Sequence, residues 1–174
     1  METFKAIAKR RSTRAYKPEQ LDADTLNDLL IAASLAPIGY GDYARMHLTV
    51  IQDEKLLERI TQRVADEYET DPNTLFGAPT LAVISSKEPQ HPGMDFTDAG
   101  LVAGNLVLAA TDLNLGTCIV WNPAQILVKD ETLRSELDLP EGAVPIIGVA
   151  LGYPESSLEG FKDWNLNIDV TYVK

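Results

Sequence analysis

The sequence predicts one domain of mixed α and β structure, in which five helices and four short strands follow one another along 174 residues. Apolar residues at helical spacing alternate with short apolar runs of strand length. A third observation is a stretch of about twenty residues, 95–114, that is rich in Ala, Gly and Leu and carries little charge. Such a helix has no polar face, which indicates that it is buried.

The first helix is predicted over 3–11, where Phe4, Ile7 and Ala8 share one face. A second begins at Asp22 or Asp24, either of which can serve as its N-cap. Pro37 ends it. The remaining helices are predicted after an Asp53 cap, over 95–114 with Gly116 as its C-cap, and from an Asp130 cap to Leu137.

The four strands are predicted over 47–51, 80–85, 117–121 and 144–151, each a short run of mostly apolar residues. A polar connector, 68–79, precedes the second strand. The last twenty residues have no strong period and are predicted to form an arm from about residue 155. No repeat or composition shift divides the chain, so we expect a single domain over 1–174.

Charge and composition exclude several classes of protein. Twenty-six acidic and 15 basic residues leave a net charge of −11, which argues against binding nucleic acid or anionic membranes. No apolar run reaches the ~20 residues of a membrane span, and the N-terminus lacks the layout of a signal peptide. With Cys118 as the only cysteine, no intrachain disulfide forms and we expect a cytoplasmic protein.

The basic residues are concentrated at the N-terminus. Six of the 15 fall in the first 17 residues, beside a single acid, Glu2: Lys5, Lys9, Arg10, Arg11, Arg14 and Lys17. Such a cluster is typical of a site for a small anion, since guanidinium groups bind phosphate in bidentate fashion. The alternative is a solvated basic helix end.

Few other motifs suggest chemistry. Extended chain after Arg11 would point Ser12 and Arg14 to one side. The strand ending at 121 can present backbone amides to a flat ligand, although an ordinary helix-to-strand connection has the same pattern. Asp95 and Asp98 fit the first turn of a helix, where carboxylates complement the dipole. Two distant histidines predict neither a catalytic triad nor a zinc site, and no glycine-rich phosphate motif occurs.

Taken in order, the motifs resemble the FMN-dependent nitroreductases over nearly the whole chain. Arg10-Arg11-Ser12-Thr13-Arg14-Ala15-Tyr16 is similar to the family's opening Arg-Arg-Ser-x-Arg-x-Phe. The resemblance continues through four further segments: Ala32–Pro37, Asp98–Ala110, Leu115–Cys118 and Leu151–Pro154.

The resemblance implies an α+β fold, with a mostly antiparallel sheet flanked by helices and the long central helix at the interface of a homodimer. It also implies an FMN site shared between subunits. One subunit would supply the phosphate and ring-edge contacts, and its partner would supply a loop; the implied residues are Arg10, Arg11, Ser12, Arg14, Val120, Trp121, Asn122 and Lys162 from one chain, and Pro37, Ile38, Gly39 and Asp42 from the other.

By the same resemblance, the activity is hydride transfer from NADH or NADPH through FMN to a nitroaromatic, quinone or similar small acceptor. No protein acid or base is required, so no catalytic side chain is assigned. A non-catalytic FMN-binding protein on the same fold is the alternative.

One loop departs from the family pattern. The segment Ala44-Arg45-Met46 stands where relatives have Gln-Pro-Trp, and Asp42 stands where they have Asn. The expectation is either that Arg45 lines a more open pocket and favours anionic acceptors, or that it faces solvent at the start of a strand.

Overall fold

The computed structural model describes residues 2–163, 165 and 167–174. Its centre is a four-stranded antiparallel sheet with strand order β1-β2-β4-β3, so that the α+β expectation is confirmed. The strands are β1 (Met46–Ile51), β2 (Thr80–Ser86), β3 (Gly116–Val120) and β4 (Val144–Gly152). The helices are α1 (Thr3–Lys9), α2 (Ala23–Ser34), α3 (Glu54–Tyr68), α4 (Met94–Asp112), α5 (Asn122–Lys129) and α6 (Glu131–Ser135).

Two apolar cores lie on opposite faces of the sheet. On one face, α2 and α4 pack on side chains that include Ala82, Ile84 and Val149. On the other face, α3, α5 and α6 pack on their sheet neighbours Leu81 and Val83. Because successive residues of a strand point to opposite faces, the fully apolar stretch of β2 serves both cores.

The segment after α1 covers the free edge of β3. The Thr13 N–H donates to the Thr117 carbonyl (2.8 Å), and Ser12 forms a parallel bridge with Thr117. Farther along, Tyr16 bridges Pro154. This pairing protects an edge strand and fixes the backbone that carries the predicted basic motif.

The predicted N-caps are confirmed. The carboxylates of Asp22, Asp53 and Asp130 accept hydrogen bonds from the backbone N–H groups of Thr25, Leu56 and Leu133. Each contact satisfies a donor that the first turn of a helix otherwise leaves without a partner.

The end of α4 differs from the prediction. Gly116 is not its C-cap but the first residue of β3, and Asn114 takes the left-handed conformation with φ of 58°. The Leu115 N–H then donates to the Ala110 carbonyl (2.8 Å). Asparagine tolerates this backbone region better than other non-glycine residues, so the helix ends two residues earlier than predicted.

Helix α5 was not predicted. The third strand ends at Val120 rather than Trp121, and α5 begins at Asn122 with Pro123 in its first turn. Proline fits there because it has no N–H to lose and its φ suits a helix. The chain that leaves the third strand is therefore the start of a helix.

Helix α4 is buried on one side only in the single chain, and the predicted burial of its other side at a homodimer interface stays a prediction. Asp98, Ala99 and Val102 are buried, but Phe96 and Leu101 are about half exposed. Other exposed apolar side chains lie on α1 and α2 or directly after α2 and α4: Phe4, Ile7, Ile31, Leu35 and Leu113. Because α1 and α2 both pack against α4, these side chains lie on or next to adjoining helices, a pattern typical of interaction surfaces.

The residues from 155 onward form neither helix nor strand where the structure describes them, as expected of an arm. Within the described ranges, no helix is long and apolar enough to cross a membrane.

Candidate functional site

The basic motif leaves α1 as extended chain, and its side chains alternate as predicted. Ser12 and Arg14 are exposed, while Thr13 between them is buried against Gly116. Arg10, two residues before Ser12, is half-buried. The pairing with Thr117 therefore directs one hydroxyl and one guanidinium outward from the same short stretch.

The C-terminal arm brings Lys162 to this motif. Its backbone N–H donates to the Ala8 carbonyl near the end of α1 (2.8 Å). Partial desolvation, together with the nearby charges of Arg10 and Arg11, lowers the pKa of Lys162. We call Arg10, Ser12, Arg14 and Lys162 the basic cradle.

No carboxylate neutralises these cations among the described residues: no salt bridge involves Arg10, Arg11, Arg14 or Lys162. Like charges held together without a counter-charge repel one another, and a bound anion relieves that repulsion. The cluster therefore has the character of an anion site rather than of a surface ion-pair network.

Arg11 contributes differently from the prediction. Its Nη1 donates to the Ala8 carbonyl (2.7 Å) and, at 3.2 Å, to the carbonyls of Lys9 and Arg10. These are carbonyls that the end of a helix leaves without intrahelical donors. Arg11 thus caps α1, and its charge reaches the cradle through space.

A cleft of about 360 Å³ adjoins the cradle. It lies between the connector before β2 and the junction of β3 with α5, and its lining includes Asn73, Thr74, Phe76, Trp121 and Asn122. The guanidinium of Arg14 lies 5.7 Å from the centre of the Phe76 ring, which links the cradle to the cleft.

Phe76 has a left-handed backbone, with φ of 59°. A bulky residue rarely adopts this conformation, and such strain is found where the surroundings hold a side chain in a required place. The sequence pattern predicts only a polar connector here, and Phe76 was not among the predicted site residues. The available signal was an aromatic residue beside Gly77 in an otherwise polar stretch.

The turn after β3 gives the cleft its hydrogen-bond donors. Asn122 is the first residue of α5, so its N–H has no partner within the helix. Pro123 follows without an N–H. Trp121, at the N-cap position, is half exposed and stacks on Phe96 of α4, with ring centres 6.1 Å apart.

Cys118 lies beneath the cradle. Burial raises the pKa of its thiol, while Arg14, Ser12 and Arg10 oppose that shift. A thiol that remains protonated is a poor nucleophile, and Cys118 packs as a small core residue.

The other predicted half of the site lies elsewhere on the chain. The Gly39 N–H donates to Asp98 Oδ1 (3.0 Å), so the loop of Pro37, Ile38, Gly39 and Asp42 contacts the N-terminal half of α4. Lys9, beside the cradle, instead contacts Asn114 just beyond the other end of α4 (2.6 Å). The stretch of helix between Asp98 and Asp112 spans roughly 21 Å at 1.5 Å per residue.

Both expectations for Arg45 are wrong. Its side chain is 5% exposed and forms an ion pair with Asp98, which is equally buried. Arg45 Nη1 also donates to Ser86 Oγ (2.9 Å). Arg45 is thus neither solvated nor free to attract an anionic acceptor, and Asp98 is the partner of a buried cation rather than a dipole-complementing carboxylate.

Comparison with known proteins assigns the fold to a family. The model of the nitroreductase family matches residues 7–153. The chain belongs to the nitroreductase family. A crystal structure of a nitroreductase with bound FMN from Bacteroides fragilis is 31% identical, each chain being covered completely, with a TM-score of 0.81.

Two further relatives of the family are similar over most of their length. An FMN-dependent nitroreductase from Clostridium difficile is 26% identical over 98% of this chain and 99% of its own, with a TM-score of 0.80. A protein of Archaeoglobus fulgidus, provisionally named NADH dehydrogenase/NAD(P)H nitroreductase, is 29% identical over 92% of this chain and 90% of its own.

Proposed function

We propose that the protein is an FMN-dependent NAD(P)H oxidoreductase that transfers electrons to a small acceptor such as a nitroaromatic or a quinone. The observation that carries the proposal is the cluster of uncompensated cations beside a cleft with aromatic walls. The nitroreductase family membership and the relatives named above support it.

The residues present fit FMN. Guanidinium, ammonium and hydroxyl groups in the cradle are the donors that a phosphate monoester dianion needs. The cleft beside them is walled by Trp121 and Phe76, whose flat faces suit a planar ring. When bound, FMN supplies the redox chemistry, accepting hydride from NAD(P)H and returning two electrons to the acceptor.

The protein's own contribution is to bind, orient and stabilise charge. The unpartnered N–H of Asn122 is the donor best placed to contact a ring nitrogen, and the start of α5 adds the positive end of a helix dipole. Arg14, at the junction of cradle and cleft, would stabilise negative charge on the reduced ring.

We further propose a homodimer in which each site takes its cradle from one chain and its loop from the other. Within one chain, the loop contacts α4 at Asp98, while Lys9, beside the cradle, contacts Asn114 beyond the other end of the helix, which supports a site completed by a second chain. The exposed apolar face of α1, α2 and α4 is the surface that a second chain would cover.

An anaerobic titration tests the proposed function. The purified protein should be yellow with an FMN spectrum, and NADH or NADPH should bleach it without oxygen. Addition of a stoichiometric amount of a quinone or nitroaromatic should then restore the yellow colour. A protein that binds FMN and is bleached by neither nucleotide would instead be a non-catalytic flavin-binding protein, which the altered 42–46 loop favours.

A further inference from the structure

A buried ionic network joins the loop before β1 to α4 and the sheet. Asp98 accepts the Gly39 N–H on Oδ1 and the Arg45 guanidinium on Oδ2. The same guanidinium donates to Ser86 Oγ at the end of β2, and the Lys87 N–H donates to the Arg45 carbonyl (2.9 Å).

This network is a poor way to stabilise a core. Removing two charges from water costs about as much as their attraction returns, so apolar replacements of a buried pair are often neutral or stabilising. What an apolar pair would not supply is a hydrogen-bond acceptor for the Gly39 N–H. The specific contribution of the network is therefore to fix the position of the Gly39 amide.

Side chains hold the neighbours of Gly39, since Ile38 packs in the core and the Tyr40 hydroxyl lies 3.0 Å from His91 Nε2, whereas the Gly39 amide itself is held by Asp98. Pro37 and Tyr40, on either side of the Ile38–Gly39 pair, are exposed, and Tyr40 has a left-handed backbone with φ of 57°. A Cβ added to Gly39 would collide with the methyl group of Met94, so the backbone lies directly against α4. A strained residue next to a close backbone approach needs a fixed contact to hold it.

We propose that Asp98 and Arg45 are positioning residues of the flavin site, which hold Gly39 so that the 37–42 loop keeps the shape required by the partner's cofactor. The inference rests on the proposed function, because the loop matters to the cofactor only if the site is shared. Neither side chain contacts the cofactor; both act through the Gly39 amide.

Two double variants separate the amide anchor from the charges. Arg45→Met with Asp98→Leu removes both the charges and the acceptor, whereas Arg45→Gln with Asp98→Asn keeps an amide oxygen for Gly39. The Kd for FMN is measured by fluorescence titration well below the unfolding transition, with the oligomeric state followed by sedimentation. Ile60→Val, in the core on the other face of the sheet, controls for lost stability.

The Met/Leu variant should raise the Kd for FMN about tenfold with an unchanged Tm, the effect expected when one hydrogen bond to a charged group is lost. The Gln/Asn variant should recover most of the affinity, and Ile60→Val should match the wild type. An unchanged Kd in the Met/Leu variant would overturn the inference. So would a loss that disappears at protein concentrations where the variant is fully dimeric.

A second pair covers the case in which a double variant does not fold. Gly39→Pro removes the N–H and adds a ring, and Ile38 already has the extended backbone, φ −96° and ψ 158°, that precedes proline. Gly39→Ala adds a similar Cβ but keeps the donor. The proline variant should bind FMN several-fold more weakly than the alanine variant; equal affinities would contradict the inference. If the wild type itself binds no FMN, the proposed function fails instead.

Discussion

At the scale of single residues, the geometry of the cradle predicts that its cations contribute unequally to FMN binding. Arg10 is half-buried and its N–H donates to the Ala6 carbonyl at the end of α1 (2.9 Å), whereas Lys162 is exposed on the C-terminal arm. Arg10→Ala should weaken FMN binding by about 1.5–3 kcal/mol, the range for hydrogen bonds to charged groups. Lys162→Ala should cost less, since exposed charges are screened by solvent.

Fluorescence titration of the apoprotein with FMN measures both losses. Lys5→Ala is the matched control, because Lys5 is an exposed cation on α1 whose ammonium lies 3.3 Å from Glu2. The Lys5→Ala variant should bind FMN with the same affinity as the wild type. Equal losses for the Arg10 and Lys162 variants would refute the ranking.

Lys162 also makes a pH dependence predictable. Its pKa lies below the ordinary 10.5, and FMN phosphate binds best to the protonated lysine. Affinity for FMN should therefore fall as pH rises through the pKa of Lys162, which loses its charge earlier than a solvated lysine. The arginine of a Lys162→Arg variant stays charged across this pH range, so the variant should not lose FMN affinity there. Identical pH profiles for the two proteins would exclude this role.

At the scale of elements, local sequence was sufficient wherever a local contact decides the structure. Asp22, Asp53 and Asp130 cap helices through bonds three residues away, and such spacing is visible in the chain. Arg45 and Asp98 lie 53 positions apart, and nothing near either residue indicates the other. Because this ion pair joins distant parts of the chain, the sequence did not predict that Arg45 is buried beside Asp98.

The same contrast holds for the candidate site. The alternation of Ser12 and Arg14 was predictable because strand geometry alone dictates it. The contribution of Phe76 was not, because it depends on a connector folding back beside β3 and on a strained backbone. Helix α5 was missed because it is short and its first turn contains Pro123, which in isolation signals a turn as much as a helix start.

The contact between the 12–16 segment and β3 gives an element-scale prediction. A Cβ on Gly116 would lie 2.8 Å from Thr13 Cγ2, closer than atoms pack. Gly116→Ala should push the segment outward, lower stability by about 1–3 kcal/mol and weaken FMN binding as well. Thermal unfolding and FMN titration measure the two effects.

Val83→Ala provides the comparison for Gly116→Ala. Val83 is buried in the centre of β2 and pairs with Thr49 and Gly148, whereas the 12–16 segment pairs with Thr117 and Pro154. Its truncation lowers stability through lost packing. Its affinity for FMN should stay at the wild-type level. If Gly116→Ala weakens FMN binding no more than Val83→Ala does, the segment does not transmit the change to the site.

At the scale of the whole molecule, the exposed face of α4 predicts what holds two chains together. Leu101 is 43% exposed there, and Leu101→Glu would bury a carboxylate without a partner in the proposed dimer. Sedimentation of the Leu101→Glu variant should show a 19.1 kDa monomer, and this monomer should bind FMN more weakly than the wild type does. Gln62→Glu adds the same charge to α3, on the other face of the sheet, and should remain dimeric. A monomeric variant that keeps full FMN affinity would refute a shared site.

The distance between the cradle and the loop along α4 has a genetic consequence. In the proposed dimer, a chain with a damaged cradle and a chain with a damaged loop each form only defective sites on their own. A mixed dimer of the two, however, contains one site built from the intact cradle of one chain and the intact loop of the other. Two inactive alleles expressed together should therefore restore activity, up to about a quarter of the wild-type sites for random pairing in equal amounts.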